Sequence, residues 1–309
     1  MSKTVPLSGL RVLITGGSSG IGLAVAEQLA AQNARLAILA RGGAAVTEAA
    51  GRTGAVGLTA DVTDPAQLAQ AVDQAAAQLG GLDAVVACAG VGAYGPFADM
   101  QPPDYEQVVQ ITLVGLLNTA HAAIPHLEAS RGTLVAIGSV AGRLPAPWLS
   151  AYAAAKHGVR GFMRSLDAEL RAQRRPVSLA LIAPGPVDTP FWVRARTPDH
   201  RLPPEIRGAY PADDVAREVL RALAAPRRLE RTAGGLMNVA IALDSLAPNL
   251  TQIPLGVLAR LGWRSRHKRP ISSEDALTQP AQTAERSGGL TTRRSLLQLL
   301  RDGIGPWPT

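Results

Sequence analysis

Short apolar runs alternate with longer amphipathic stretches from residue 10 to about residue 225. The short runs are apolar at nearly every position, as in strands of a parallel sheet that is covered on both faces. The longer stretches have the spacing of helices that pack one face on such a sheet. This alternation predicts βαβ units, and therefore an α/β protein with a parallel sheet.

The pattern predicts six strands and five helices. The strands are expected at Arg11 to Gly16, Ala34 to Ala40, Ala55 to Asp61, Leu82 to Gly90, Gly132 to Ser139 and Val177 to Gly185. The helices are expected at Gly20 to Gln32, Pro65 to Leu79, Pro103 to Ser130, Ser150 to Arg174 and Pro211 to Ala224.

The pattern weakens beyond Arg228, and the chain there becomes polar and basic. The stretch RPISSEDALTQPAQTAERSGGLTT is rich in Pro, Ser, Thr, Gln and Gly, which predicts a loose connection. A short amphipathic helix is expected at Arg293 to Arg301, and the apolar patch Leu236 to Leu246 is expected to pack on the body or on a dimer partner. We therefore predict a folded domain of residues 1–230 and a partly helical, partly flexible C-terminal extension of residues 231–309.

Composition adds limits to this outline. The 309 residues are 47% hydrophobic and 18% charged, enough to bury a sizeable core. A single cysteine, Cys88, excludes an internal disulfide, and no leader-like segment or long apolar run is evident, so we expect a cytoplasmic protein. No His or Cys spacing suggests a metal site.

The positive charge is unevenly distributed. Of the net charge of +7, residues 260 to 309 carry +5, with nine Lys/Arg against four Asp/Glu. Few aromatic residues accompany this charge, which argues against nucleic acid as a partner. Weak peripheral contact of the tail with a membrane is left open.

The first predicted strand runs into a glycine-rich turn and then a helix, in the sequence TGGSSGIG from Thr15 to Gly22. Glycines let the backbone approach a pyrophosphate, and the N–H groups at the start of a helix hold the anion. A purely structural turn is the alternative, but the position at the head of a βαβ series favours dinucleotide binding.

Two residues at later strand ends bear on the choice of dinucleotide. Arg41 follows the second strand, where an NAD site usually has an acid, and a guanidinium can bind a 2′-phosphate there. NADP(H) is therefore favoured over NAD(H), although Arg41 can also be an ordinary solvated residue. Asp61 follows the third strand and is placed to reach the adenine amino group, whereas Asp64, directly before Pro65, reads as a helix N-cap.

Lysine is rare in this chain, which has 31 basic residues but only Lys3, Lys156 and Lys268 as lysines. Lys156 lies four residues after Tyr152 on a predicted helix, so the two side chains share one face. Ser139 ends the preceding strand, and the three side chains can converge. An adjacent ammonium favours the phenolate form of a tyrosine, which makes Tyr152 a candidate acid/base; an ordinary exposed helix face is the alternative.

The order and spacing of TGGSSGIG, ADV, CAG, Ser139, YAAAK and APGPVDTP resemble the classical short-chain dehydrogenase/reductase family over about residues 8 to 226. The resemblance implies an α/β fold with a doubly wound, Rossmann-type parallel sheet. It also implies that Tyr152 is the acid/base, that Lys156 binds the nicotinamide ribose and that Ser139 binds the substrate oxygen. The cofactor-binding residues that it implies, together with Arg41 and Asp61, are Gly16, Ser18, Ser19, Gly20, Ile21, Gly22, Val62, Ala89, Gly90, Pro184, Gly185, Val187 and Thr189.

The chain departs from the family pattern at two places. Thr112 stands where the family has a catalytic asparagine, and Ala87 and Cys88 replace the usual pair of asparagines after the fourth strand. These departures suggest an alternative, a catalytically weakened sensor or scaffold that still binds cofactor. The leading interpretation is an NADP(H)-dependent oxidoreductase, most often a homodimer or homotetramer in this family.

The family layout also implies an apolar substrate pocket. The residues expected to border it are Tyr94, Leu144, Pro145, Trp148, Phe191 and Trp192. Such a lining favours a small hydrophobic ketone or alcohol as substrate over a sugar or a short acid.

Overall fold

The central element of the computed structural model is a seven-stranded sheet in which every pairing is parallel. The structure describes residues 5–199, 206–207, 209–226, 229–233, 241–242, 244, 276–288 and 291–292. The strands of the sheet are β1 (Arg11–Thr15), β2 (Arg35–Ala40), β3 (Val56–Thr59), β4 (Ala84–Ala87), β5 (Thr133–Ile137), β6 (Ser178–Pro184) and β10 (Glu230–Ala233). Two-residue strands form separate short pairs, at β7 (Val187–Asp188), β8 (Ile206–Arg207), β9 (Tyr210–Pro211) and β11 (Thr291–Thr292).

Seven α-helices accompany these strands in the described residues. They are α1 (Gly20–Ala30), α2 (Gly43–Thr53), α3 (Pro65–Leu79), α4 (Pro102–Val109), α5 (Gly115–Ser130), α6 (Ser150–Ala172) and α7 (Ala212–Ala224). A π-helical stretch, Gln110–Val114, joins α4 to α5.

The strand order is β10-β6-β5-β4-β1-β2-β3. Because β1 pairs with both β2 and β4, the winding direction reverses at β1, and a crevice opens there at the carboxyl ends of the strands. Helices α3, α5 and α6 bury apolar residues on one face of the sheet, and α1 and α7 do so on the other. The predicted doubly wound, Rossmann-type α/β fold is confirmed.

All six predicted strands are present, and α3 has its predicted bounds. Asp64 caps α3 as expected, since its carboxylate accepts the backbone N–H groups of Ala66 and Gln67 at 3.0 Å each. The helix predicted from Pro103 to Ser130 is instead interrupted by the π-helical stretch. Helix α2 was not predicted, because it buries only Ala45, Val46 and Ala49 and so has a weak apolar face.

The sheet extends beyond the six predicted strands. The seventh, β10, pairs with β6 at the edge, and the predicted domain boundary after residue 230 falls inside it.

Part of the C-terminal region lies on the body of the protein. Within the predicted loose connection, residues 276–288 pack against the domain, with Leu277 and Ala284 only 1% and 5% exposed. The expectation of a loose connection is therefore wrong for this part, because backbone and ion-pair contacts to distant residues hold it. The predicted helix Arg293 to Arg301 and most of the patch Leu236 to Leu246 lie outside the described residues.

One helical segment is long and apolar enough to cross a membrane by length and composition alone. It is Pro102–Ser130, with a mean hydropathy of 1.4, and 44% of its most apolar window is buried inside the protein. Its contacts with α3, α6 and the sheet are those of a core helix, which passes the same test.

The N-cap of α3 gives a prediction about stability. Asp64→Ala removes the acceptor of two N–H groups and should lower the free energy of unfolding by about 1 kcal/mol. Chemical denaturation measures the change. Glu106→Ala, at an exposed position on α4, is the control and should change it by less than about 0.5 kcal/mol. Equal effects of the two substitutions would reject the cap.

Candidate active site

A cavity of about 350 Å³ opens at the carboxyl ends of the strands, at the crevice beside β1. Most of the site residues predicted from the sequence line it. They are Gly16, Ser18, Ser19, Gly20, Ile21, Arg41, Val62, Ala89, Gly90, Ser139, Tyr152, Lys156, Pro184, Gly185, Val187 and Thr189. Gly22, Asp61 and Thr112 are not among the lining residues.

The glycine-rich turn between β1 and α1 has no room for side chains. A Cβ atom on Gly22 would lie 2.3 Å from the carbonyl oxygen of Gly16, and one on Gly16 would lie 2.8 Å from the Cα of Ala89. Gly16 also has a φ of 66°, in the left-handed region that favours glycine. The turn thus brings bare backbone and the first turn of α1 to the cavity wall, where a pyrophosphate can approach. Gly22 serves this packing and does not contact the cavity.

Ser139, Tyr152 and Lys156 converge on the cavity from two elements. Ser139 follows β5, and its hydroxyl accepts the N–H of Ala141 at 3.1 Å while also hydrogen-bonding Tyr152. Tyr152 and Lys156 lie one turn apart on α6, with the Lys156 Nζ 5.6 Å from the centre of the Tyr152 ring. The predicted grouping of the three side chains is therefore present in the structure.

The ammonium of Lys156 is buried, with 6% of the residue exposed. Its Nζ donates to the carbonyl oxygen of Ile137, at the end of β5, at 2.7 Å. Burial disfavours the charged form and lowers the pKa of Lys156 to about 8, partly opposed by Cys88. A lysine so placed changes charge near neutral pH, which an arginine does not do.

The pKa of Tyr152 moves in the direction opposite to the one expected from the lysine alone. Burial raises the pKa of Tyr152 to about 12, although its hydrogen bond with Ser139 acts to lower it. Desolvation of the phenolate therefore outweighs the favourable contacts in this site. The phenol is protonated at neutral pH and can donate its proton.

Thr112 lies in the π-helical stretch and is 1% exposed. Its hydroxyl donates to the carbonyl oxygen of Val91 and accepts the N–H of the same residue, both at 3.2 Å. The hydroxyl thus bonds to the loop after β4, and its single proton is used there. The Thr112 Oγ1 and the Lys156 Nζ both lie within 4 Å of where a Cβ on Gly90 would stand, so the residue is near the lysine.

Arg41 lies on the wall of the cavity at the end of β2, with partners that the sequence did not suggest. Its Nη2 donates to the carbonyl oxygen of Ala276 at 2.7 Å and its Nη1 to that of Leu277 at 3.3 Å. The Nη1 also lies 3.8 Å from a carboxylate oxygen of Asp61. Asp61 in turn accepts from the backbone N–H and the hydroxyl of Thr63 and is not among the residues that line the cavity.

Only some of the apolar residues that were expected to border the substrate pocket line the cavity. Phe191 and Trp192 line it, and the Phe191 ring centre lies 5.1 Å from that of Tyr152 and 5.1 Å from that of Trp192. The other residues expected to border the pocket, which are Tyr94, Leu144, Pro145 and Trp148, do not line it. Tyr94 is buried with Leu149 in an apolar cluster that also includes Trp148, Tyr152 and Trp192 and so lies next to the cavity.

Some lining residues were missed by the sequence analysis. Ala146 and Leu149, just before α6, and Ala276, Pro280 and Ala281, in the C-terminal region, also line the cavity. None of these residue types carries a chemical signal, and the last three are distant in the chain.

Cys88 lines the cavity as well. Burial raises the pKa of the Cys88 thiol to about 11, so it is a neutral thiol at physiological pH. In the described part of the chain, no group of three or more His, Cys, Asp or Glu side chains is arranged to hold a metal ion.

Comparisons with known proteins identify the family to which the chain belongs. The family model for short chain dehydrogenases matches residues 11–199. The chain therefore belongs to the short-chain dehydrogenase/reductase family of oxidoreductases.

Relatives and a solved structure support the assignment. The chain is 32% identical over 231 residues to a hydroxysteroid 11-beta-dehydrogenase 1-like protein of Xenopus tropicalis, covering 72% of this chain and 78% of that protein. It is also 32% identical over 222 residues to the 3-oxoacyl-[acyl-carrier-protein] reductase FabG of Escherichia coli, covering 70% and 88%. A short-chain dehydrogenase/reductase from Burkholderia phymatum, crystallised with NAD, shares the fold with a TM-score of 0.70 and 24% identity, covering 80% and 96%.

The low pKa of Lys156 gives a prediction about pH. Its cationic form predominates below about pH 8 and is lost as the pH rises through that value. If the ammonium contacts the cofactor, kcat/KM for the cofactor, which reports groups of the free enzyme, should fall up to tenfold per unit above pH 8. Initial rates from pH 6 to 10 measure it. Lys156→Arg keeps its charge in this range, so its residual activity should show no such break; an identical break in that variant would assign the ionisation to another group.

Proposed function

We propose that the protein is an NADP(H)-dependent oxidoreductase that transfers a hydride between the nicotinamide and a hydrophobic alcohol/ketone pair, with Tyr152 as the acid/base. The observation that carries the proposal is the convergence of Ser139, Tyr152 and a buried Lys156 on one cavity. Burying an ammonium is costly, and a purely structural lysine does not need it.

The residues of the cavity suit a dinucleotide. The turn from Gly16 to Gly22 leaves a wall of backbone against which a pyrophosphate can lie, at the start of α1. Lys156 has one proton engaged by Ile137, and its remaining protons are available for ribose hydroxyls. Arg41 and Val62 line the end of the cavity expected for the adenosine.

The bound nicotinamide supplies the hydride for the carbonyl carbon of a ketone. Tyr152 donates its phenolic proton to the carbonyl oxygen, which becomes the hydroxyl of the product. The Ser139 hydroxyl donates a hydrogen bond to the same oxygen and orients it. The Lys156 ammonium stabilises the phenolate that remains, which opposes the desolvation that holds the pKa of Tyr152 at about 12. The opposite direction uses the same groups in reverse.

The substrate side of the cavity is aromatic and apolar. Phe191 packs next to the Tyr152 ring and Trp192 packs edge-on to Phe191, while Ala146 and Leu149 extend the apolar surface. Such a wall favours a hydrophobic carbonyl compound over a sugar, whose hydroxyl groups would lose their hydration there. Two of the relatives described above are named for a hydroxysteroid dehydrogenase and a 3-oxoacyl reductase, which supports an alcohol/ketone reaction.

The preference for NADP(H) rests on Arg41. It lines the cavity at the end of β2, and the nearest carboxylate, that of Asp61, is paired with it at 3.8 Å. A guanidinium here favours an additional phosphate. The NAD-bound relative from Burkholderia phymatum is the reason to measure both cofactors. A cytoplasmic location and a homodimer or homotetramer remain part of the proposal.

The catalytic assignment predicts a loss of turnover without a loss of binding. Tyr152→Phe removes only the ionisable hydroxyl, so ketone reduction should fall at least about 100-fold while NADPH affinity changes less than about threefold. Steady-state oxidation of NADPH with a panel of hydrophobic ketones, and fluorescence titration, measure the two quantities. Activity retained in the variant would assign the proton to another group. A parent protein that binds NADPH but reduces no ketone would favour the sensor or scaffold instead.

The cofactor assignment predicts an affinity difference. NADPH should bind at least about tenfold more tightly than NADH, a difference of about 1.4 kcal/mol, and Arg41→Asp should abolish or reverse it. Arg35→Asp makes the same charge change at the opposite, exposed end of β2 and should leave the preference intact. Equal affinities in the parent protein, or a preference untouched by Arg41→Asp, would contradict the assignment.

A further inference from the structure

Residues 276–288, here called the strap, lie beside the cavity, and Ala276, Pro280 and Ala281 line it. They lie far outside the region that the family model matches, which ends at residue 199. The strap has no helix or strand of its own, and the contacts described below join it to elements of the catalytic domain. Three groups of contacts hold it, at its start, middle and end.

The start of the strap is bound to Arg41 and to Arg194, which follows β7. The carbonyl oxygens of Ala276 and Leu277 accept from the Arg41 guanidinium, as described above. The side chain of Leu277 is 1% exposed and belongs to the main apolar core. Arg194, which also lines the cavity, donates to the carbonyl oxygen of Gln279 at 3.1 Å and accepts the N–H of Ala276 at 3.0 Å.

The middle of the strap is bound to α1 and α2. The N–H of Ala284 donates to a carboxylate oxygen of Glu48 at 3.0 Å, and its carbonyl oxygen accepts from Arg52 at 2.7 Å. The carbonyl oxygen of Glu285 accepts the N–H of Gly20, the first residue of α1, at 2.7 Å. The strap therefore meets the glycine-rich turn itself.

The end of the strap is held by charge. Arg286 pairs with Glu27 at 2.6 Å and also with Asp213, which joins the strap to α1 and α7. The hydroxyl of Ser287 donates to a carboxylate oxygen of Asp188 at 2.6 Å, next to the cavity residue Thr189.

Two glycines let the strap approach this closely. A Cβ atom on Gly42, beside Arg41, would lie 2.2 Å from the carbonyl oxygen of Ala281. A Cβ atom on Gly288 would lie 2.3 Å from the carbonyl oxygen of Thr189. Contacts this tight show that the strap packs closely against two segments that line the cavity, at Gly42 and at Thr189.

We propose that the strap is part of the cofactor site and retains the bound dinucleotide. Ala276, Pro280 and Ala281 line the same cavity as Arg41 and Gly20, and the cavity stays open beneath them. The strap therefore forms a wall at the adenosine end of the cavity and does not fill that end. Its apolar side chains present a surface for a base or ribose, and its carbonyl groups fix the guanidinium of Arg41.

Retention of the dinucleotide follows from the positions of the contacts that hold the strap. A dinucleotide beneath the strap leaves through the mouth only after the contacts of at least one end break. The contacts at the end of the strap, which join Arg286 to Glu27 and Asp213, are partly exposed ion pairs of modest strength in water. The strap can therefore open locally while the sheet stays folded. This inference rests on the proposed function only in that the cavity binds a nicotinamide dinucleotide.

Two variants of the full-length chain test the strap. Arg286→Glu places a carboxylate against Glu27 and Asp213 and should release its end, and Leu277→Asp should release its start. Arg221→Glu makes the same charge change at an exposed site on α7 and is the control. In stopped-flow displacement of NADPH, both release variants should dissociate at least about fivefold faster than the parent and bind correspondingly more weakly, and the control should match the parent.

Hydrogen exchange reports on the strap independently of any cofactor. The N–H groups of Ala284 and Gly288 should be protected in the parent protein, since both donate to carboxylates, and should lose protection in Arg286→Glu. Thermal denaturation establishes that each variant is folded. If Leu277→Asp does not fold, Arg286→Glu alone decides the matter.

The results separate this inference from the proposed function. Dissociation that is unchanged in a variant whose strap has lost protection would overturn retention, and so would tighter binding, which would make the strap an obstacle to the cofactor. An unprotected strap in the parent would also overturn it. A parent that binds NADPH with a protected strap but reduces no ketone would reject the proposed reaction alone. A parent that binds neither NADPH nor NADH would reject both.

Discussion

The buried ammonium of Lys156 is the constraint on which the arrangement of the site depends. A cation taken out of water needs compensation, and the described residues provide one hydrogen bond, to the carbonyl oxygen of Ile137. That bond joins α6 to the end of β5, and a Cβ on Gly142 would lie 2.6 Å from the Lys156 carbonyl oxygen, so the turn after Ser139 presses on the same helix. The position of Ser139 relative to Tyr152 thus follows from where the lysine must sit.

The π-helical stretch makes a second connection to this centre. It directs the Thr112 side chain to Val91, in the loop after β4. There the Thr112 hydroxyl hydrogen-bonds both the backbone N–H and the backbone carbonyl oxygen of Val91. That loop has no asparagine side chains to steady it, because Ala87 and Cys88 stand there. We infer that Thr112 holds the loop in their place, which accounts for a hydroxyl whose proton is not directed to the lysine.

The sequence predicted those parts of the molecule that depend on local pattern. The six apolar strands, the cap at Asp64 and the i, i+4 pair of Tyr152 and Lys156 all lie within a few residues of the signals that reveal them. Helix α2 was not predicted because its buried residues are few and small. The direction of the Tyr152 pKa was wrong because burial, which a sequence does not display, outweighs its neighbours. The family layout assigned Tyr94 and Trp148 to the pocket, but both belong to a neighbouring apolar cluster and do not line the cavity.

The strap is the part of the structure that local sequence patterns predict least well. Its composition is that of a loose connection, and by pattern alone that is the correct interpretation. What orders it is a set of partners that are distant in the chain, such as Arg41, which lies 235 residues before Ala276. The same separation changes the meaning of Arg41 itself. From the sequence alone, Arg41 is expected to bind a phosphate of the cofactor. In the structure it also holds a segment from the other end of the chain. Any cofactor preference that Arg41 confers therefore depends on the carbonyl groups of the strap that hold its guanidinium.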